Sequence, residues 1–109
     1  MASSRRTFLV ECYGPDIDAG SVAAAGARAR AACDRLERVG VDAHYLGAVL
    51  VAEDDVVFHA FAGADAAGIE VVCREAGLVH ERVVESIAVT TDGSDPDPAA
   101  ILAGIRSAS

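Results

Sequence analysis

The chain has no lysine and no tryptophan, and its aromatic side chains are limited to two Tyr and three Phe. With so few rings and so much alanine, any core must be built from thin side chains packed closely. All basic residues are Arg, nine against 17 acidic residues, leaving a net charge of −8. That balance argues against nucleic acid as a partner, because affinity for a phosphate backbone rests largely on cationic contacts. No apolar run approaches the ~18 residues of a membrane span. The opening MASSRRTFLVEC runs from two arginines into a short mixed segment with no signal-peptide cleavage site. A cytoplasmic protein with no membrane partner is expected. Cys12, Cys33 and Cys73 are odd in number and far apart, and no C-x-x-C or metal-finger spacing occurs. Reduced, buried thiols acting as small hydrophobes are the expectation. Nucleophile-elbow, Walker, Rossmann and zincin motifs are also missing.

What is present is a globular composition, 52% hydrophobic and 24% charged over 109 residues, which fits one domain. Residues 6–13 alternate as a strand, with Phe8, Val10 and Cys12 on one face and Leu9, Glu11 and Tyr13 on the other. Gly14-Pro15 stops it. Residues 16–40 read as a helix with Asp16, Asp18 and Ser21 as N-cap candidates and Gly40 as its end. Val22, Ala25, Ala29, Cys33 and Leu36 form its thin apolar stripe. Arg28, Arg30, Arg35, Glu37 and Arg38 lie off that stripe, as an anion site or, more commonly, a solvated surface with an Asp34/Arg38 pair.

Residues 41–52 read as a strand in which Gly47 marks a bulge or close approach. Glu53-Asp54-Asp55 makes a turn, and residues 56–62 return as the second arm of a hairpin. Residues 63–77 form a second helix, begun near Asp65, burying Ile69, Val72 and Cys73, and closed by Gly77. Residues 79–90 supply a fourth strand. The order βαββαβ predicts an α+β, ferredoxin-like fold over residues 1–91, an antiparallel sheet with two helices on one face and strands one and three in the centre. Residues 92–109 form an acidic linker and a short helix, capped by Asp97 and Pro98, with Ile101, Leu102 and Ile105 as an apolar patch.

Helices on one side leave the other side of the sheet open. The apolar series Phe8, Val10, Cys12 and Val56, Phe58, Ala60 are expected beneath the helices. Leu9, Tyr13, Val57, Phe61, Val83, Ile87 and Val89 would then form an exposed patch too large for a monomer, so a homodimer joined through this face is expected. Within that patch the same reading brings Glu11, His59 and Glu85 together. Two carboxylates beside an imidazole suit a divalent metal such as Ni, Zn or Mn, or a general base with a charge partner. The ordinary alternative pairs the carboxylates with Arg82 or Arg6 and leaves His59 as a space-filling residue. His44-Tyr45 reads as a surface pair, His80-Glu81 as solvent-facing, and the acidic turn as edge protection rather than a calcium site.

FLVE at 8–11, the acidic hairpin turn, CREAGL at 73–78 and ERVVES at 81–86 occur in an order and spacing that resembles a small domain-of-unknown-function family. That family includes nickel-responsive, nickel-binding proteins of actinomycetes, and the resemblance spans about residues 7–90. It implies a ferredoxin-like homodimer with nickel-binding capacity and no established catalysis, with Glu11 and Glu85 on family glutamates. The chain departs from the family pattern where LGAVLV replaces a Trp and Ser-Tyr segment, where His59 replaces a cysteine, and where Val72 replaces a histidine. Two functional classes therefore stand side by side. One is a dimeric, non-catalytic protein binding a divalent metal through Glu11, His59 and Glu85. The other is a cofactor-free enzyme of the dimeric α+β barrel type, with His59 and a carboxylate in an apolar pocket between sheet and helices. A scaffold dimer without a ligand is the third possibility.

Overall fold

The computed structural model of the protein describes residues 6–86. The expected linker, the helix near Asp97, Pro98, Ile101, Leu102 and Ile105, and Ile87 and Val89 of the last strand lie outside the described residues.

Strand β1 (Arg6–Tyr13) leads into helix α1 (Ala19–Glu37), then β2 (Ala43–Val51), a single 3₁₀ turn (Ala52–Asp54), β3 (Val56–Gly63), helix α2 (Ala66–Ala76) and β4 (Arg82–Ser86). The sheet order is β2-β3-β1-β4, antiparallel throughout, so β1 and β3 are central as the topology predicts. This is a ferredoxin-like α+β fold.

Of the three candidate caps for α1, Asp18 is the one used. Its carboxylate accepts from the Ser21 N–H at 2.7 Å, while the Asp18 N–H donates to Ser21 Oγ at 3.1 Å, a reciprocal capping box. α1 ends at Glu37 rather than Gly40, and the Val41 N–H closes the turn on Leu36 O at 3.0 Å. α2 starts on an Asp65 cap and stops at Gly77, whose φ of 72° is left-handed backbone. Gly47 does mark a bulge. The β2–β3 register shifts between Tyr45 and Gly47, and the φ of 143° at Gly47 is one that only glycine adopts readily.

The register corrects one expectation with wide consequences. Residues directly opposite in an antiparallel pair project to the same face. Phe8 faces Phe61, Val10 faces His59 and Cys12 faces Val57. Val57, His59 and Phe61 therefore lie under the helices, not on the open face, and Val56, Phe58 and Ala60 share the open face with Leu9 and Glu11. β4 is inverted in the same way: Val83 pairs with Val10 and packs against the core, while Val84 pairs with Leu9 and is 37% exposed. The reason is local. VVFHAF is apolar at both parities, so period-two patterning gives its phase no anchor, and a one-residue difference swaps every side chain.

Between sheet and helices sits a single core of Phe8, Val10, Val57, Phe61, Ile69, Val72 and Cys73, with Ala29, Ala32 and Cys33 from α1. α1 has small residues on its buried face, which lets it approach the sheet closely. At Gly26 an added Cβ would lie 2.7 Å from the Tyr45 hydroxyl. Among the described residues no helix is long and apolar enough to cross a membrane.

Candidate functional site

The three residues singled out in the sequence do not converge within one chain. Glu11 is on the open face, whereas His59 and Glu85 are on the helix side, with β1 and its Phe8 and Val10 side chains between them. Among the described residues no group of three His, Cys, Asp or Glu side chains is placed to hold a metal ion.

Each carboxylate instead has an arginine. Arg82 lies opposite Glu11 in the register and donates from Nε to Oε1 at 2.6 Å. This bond, aided by Tyr13, holds the Glu11 carboxyl below its ordinary range despite the opposing effect of desolvation. The Tyr13 hydroxyl is pushed up by the same carboxylate. Arg6 reaches Glu85 at 3.3 Å with both side chains half exposed, an arrangement of small energetic consequence. The other histidines are local. His44 pairs with Asp42 at 3.1 Å, and His80 lies 3.9 Å from Glu70.

His59 differs from both. It is 1% exposed, opposite Val10 in the middle of the sheet. Its Nδ1 shares a hydrogen bond of 2.9 Å with the hydroxyl of Tyr45, the residue expected at the surface. Tyr45 is drawn inward because it stands beside the bulge, beneath the Gly26 gap in α1. Its ring packs edge-on against Phe61 at 5.2 Å, and the Arg30 guanidinium lies 5.4 Å over it. Burial is the main influence on the His59 imidazole, and with the Arg28 charge nearby it lowers the pKa from the ordinary 6.5. The ring is therefore neutral at neutral pH, and the Tyr45 bond is compatible with either tautomer.

The second ring nitrogen of His59, Nε2, has no hydrogen-bond partner among the described residues, yet no buried side-chain atom is both sealed and unpartnered. His59, through the little surface it leaves uncovered, is one of the residues lining a cavity of about 250 Å³. The floor is the sheet (Cys12, Val57, His59). One wall is the α1 face carrying Ser21, Ala25 and Arg28, and the other is the Gly77–Val79 segment after α2. Arg28 is held across the gap by its Nε, which donates to Ala76 O at 3.0 Å.

A larger groove of about 560 Å³ runs between α1 and the β2 edge, but its walls are mostly small aliphatic residues, and its charged group, Arg30, is stacked on Tyr45. The smaller cavity has the chemistry: a neutral imidazole with a free nitrogen, a guanidinium, and apolar walls. Sequence reasoning singled out His59 but not Tyr45 or Arg28 as its companions. The available signals were a glycine in the middle of an alanine-rich helix and a bulge glycine two residues after a tyrosine. The second expectation for His59 called for an enclosed apolar pocket with a carboxylate; the cavity that His59 lines is open on one side and its charged group is an arginine.

No protein-family model, no curated protein and no solved structure matches the chain.

Proposed function

We propose that this protein binds a small organic molecule in the cavity beside His59, with the imidazole as the group that exchanges a hydrogen bond or a proton with it. The observation that carries this reading is a histidine 1% exposed whose Nδ1 is satisfied by Tyr45, whose Nε2 has no partner among the described residues, and which lines a small, largely apolar cavity. A histidine needed only to fill the core would have both nitrogens satisfied or would be replaced by an aliphatic residue at less cost. A fixed, neutral imidazole with one orienting partner has the arrangement of a general acid–base group. This reading takes up the cofactor-free α+β alternative for His59 rather than the metal one, and what supports the choice is that Glu11, His59 and Glu85 do not converge in one chain. The test is a fragment screen by ¹H–¹⁵N correlation spectroscopy on uniformly labelled protein. Compounds that bind should move the His59 ring and Val57 amide signals together. A screen in which every shift falls elsewhere would end the proposal.

The same fold supports an assembly. The face opposite the helices carries half-buried Leu9 and Phe58 and exposed Val84 and Tyr13, together with the paired Glu11 and Arg82, while Val56 and Ala60 on the same face are already buried within one chain. The one charge pair on this face among the described residues, Glu11 with Arg82, is already neutralised, so the face fits a second copy of itself around a twofold axis, and the helix-side cavities of both copies remain accessible. In this reading the protein is a cytoplasmic homodimer. Sedimentation equilibrium should then show twice the 11.1 kDa chain mass, and Leu9→Asp should shift the population to a single chain. A wild-type protein that remains at the mass of one chain at high micromolar concentration would exclude it.

A further inference from the structure

The geometry points to a small organic anion as the ligand of the His59 cavity, its carboxylate paired with Arg28, its apolar body against Ile17, Val22 and Leu78, and a polar atom bonded to His59 Nε2. This inference rests on the reading of the cavity given above and adds the ligand's charge and size.

Three observations support it. The first is charge. The chain has 17 acidic residues against nine basic ones, yet the residues lining this cavity include an arginine and no carboxylate. Among the described residues the local balance is opposite to that of the whole molecule, so a cation has little reason to enter and an anion does.

The second is the state of Arg28. Arg6, Arg35 and Arg82 each have an acidic partner, at 3.3, 3.5 and 2.6 Å. Arg28 spends one donor on the last carbonyl of α2, and its terminal nitrogens make no hydrogen bond or ion pair among the described residues. That single bond tethers an otherwise exposed guanidinium at the rim of the cavity without neutralising it. A guanidinium held in this way can meet a carboxylate with two parallel hydrogen bonds.

The third is shape. About 250 Å³ lies just below the ~300 Å³ at which typical ligand pockets begin, which limits the ligand to roughly one ring or a short branched chain. Val22, Val57 and Leu78 supply the dry surface for such a body. Ala25, one turn from both Ser21 and Arg28 on α1, leaves the space open. A larger residue there would fill it.

The experiment compares acids with their own amides. A panel of small aromatic and branched aliphatic carboxylates, benzoate among them, and the matching carboxamides is titrated into the full-length protein while the His59 ring signals are followed. At least one acid should bind there, with its amide weaker by about tenfold or more, the effect of losing a charge-assisted hydrogen-bond pair. Arg28→Met should reduce that ratio to near one while the amide affinity stays the same, and Ala25→Leu should abolish binding of both. If acid and amide bind equally to the wild-type protein, the anion assignment is overturned but the cavity remains a binding site. If neither moves the His59 signals anywhere in the panel, both the assignment and the reading beneath it fail. The wild-type comparison alone decides the matter if Arg28→Met does not fold.

Discussion

The Tyr45 hydroxyl and His59 Nδ1 lie 2.9 Å apart, joining neighbouring strands β2 and β3 beneath α1. This bond permits a polar ring in the middle of an aliphatic core. Tyr45→Phe would leave Nδ1 buried without that partner. A loss of about 1–3 kcal/mol in unfolding free energy is expected, read from urea melts, with the fold retained in the far-ultraviolet circular dichroism spectrum. An unchanged midpoint would show that the bond contributes nothing net.

His59 also sets a pH dependence. Burial lowers its folded-state pKa below the ordinary 6.5, so below that pH the unfolded chain takes up a proton that the folded chain resists. Stability from this group is fully present above pH 6.5 and is lost as the pH falls from 6.5 toward the folded value, with a slope of at most about 1.4 kcal/mol per pH unit. Glu11, whose pKa is also lowered, adds its own loss at more acidic pH, below its ordinary 4.5. Urea midpoints measured between pH 7.5 and 5 should fall for the wild type. The fall should be shallower in His59→Gln, and equal slopes would contradict the assignment.

Gly26 is the place where helix propensity and packing oppose each other. Alanine in mid-helix should gain about 1 kcal/mol over glycine. Here, however, the new methyl would sit 2.7 Å from the Tyr45 hydroxyl and 3.1 Å from its ring, and overpacking costs about 1–3 kcal/mol. Gly26→Ala is expected to be neutral or destabilising, and to displace Tyr45 from His59, which the His59 ring chemical shift would report. A clear rise in melting temperature would mean that Tyr45 yields freely.

The thiols should be inert. Desolvation raises Cys12 and Cys33 to about 11 and Cys73, the most enclosed, to about 12. At pH 8 the thiolate fraction is therefore minute. Alkylation by iodoacetamide, followed by intact mass, should be negligible in buffer and complete in denaturant. Rapid labelling of the native protein at all three positions would contradict the burial described.

The element order, the Asp65 and Gly77 ends of α2 and the bulge at Gly47 were legible in the sequence because each depends on local chemistry: caps, turn residues and alternation. The central placement of β1 and β3 followed from that order through the handedness of the crossovers. That the two carboxylates would find arginines, Arg82 or Arg6, was legible as well; which arginine goes with which carboxylate comes from the register, Arg82 with Glu11 and Arg6 with Glu85. The facing of β3 was not. Val56, Val57, Phe58, Ala60 and Phe61 are all acceptable to a core, and His59 appeared to be the residue to expel. Its burial depends on a hydroxyl fourteen residues away in the chain, delivered by a bulge and accommodated by a missing methyl on α1. That is a tertiary arrangement, and periodicity carries no trace of it. The Arg28 contact with Ala76 is of the same kind, since the stripe of α1 predicts which residues face inward but not which carbonyl an off-stripe arginine will find.

The irregularity at Tyr45 and Gly47 has a consequence for the molecule at high concentration. Among the described residues β2 is an outermost ribbon of the sheet, with one row of backbone groups directed away from β3. The extra residue breaks that row into two short pieces out of step with each other. A foreign strand can match one piece or the other but not both, so uncontrolled stacking into fibrils finds no continuous template along this margin.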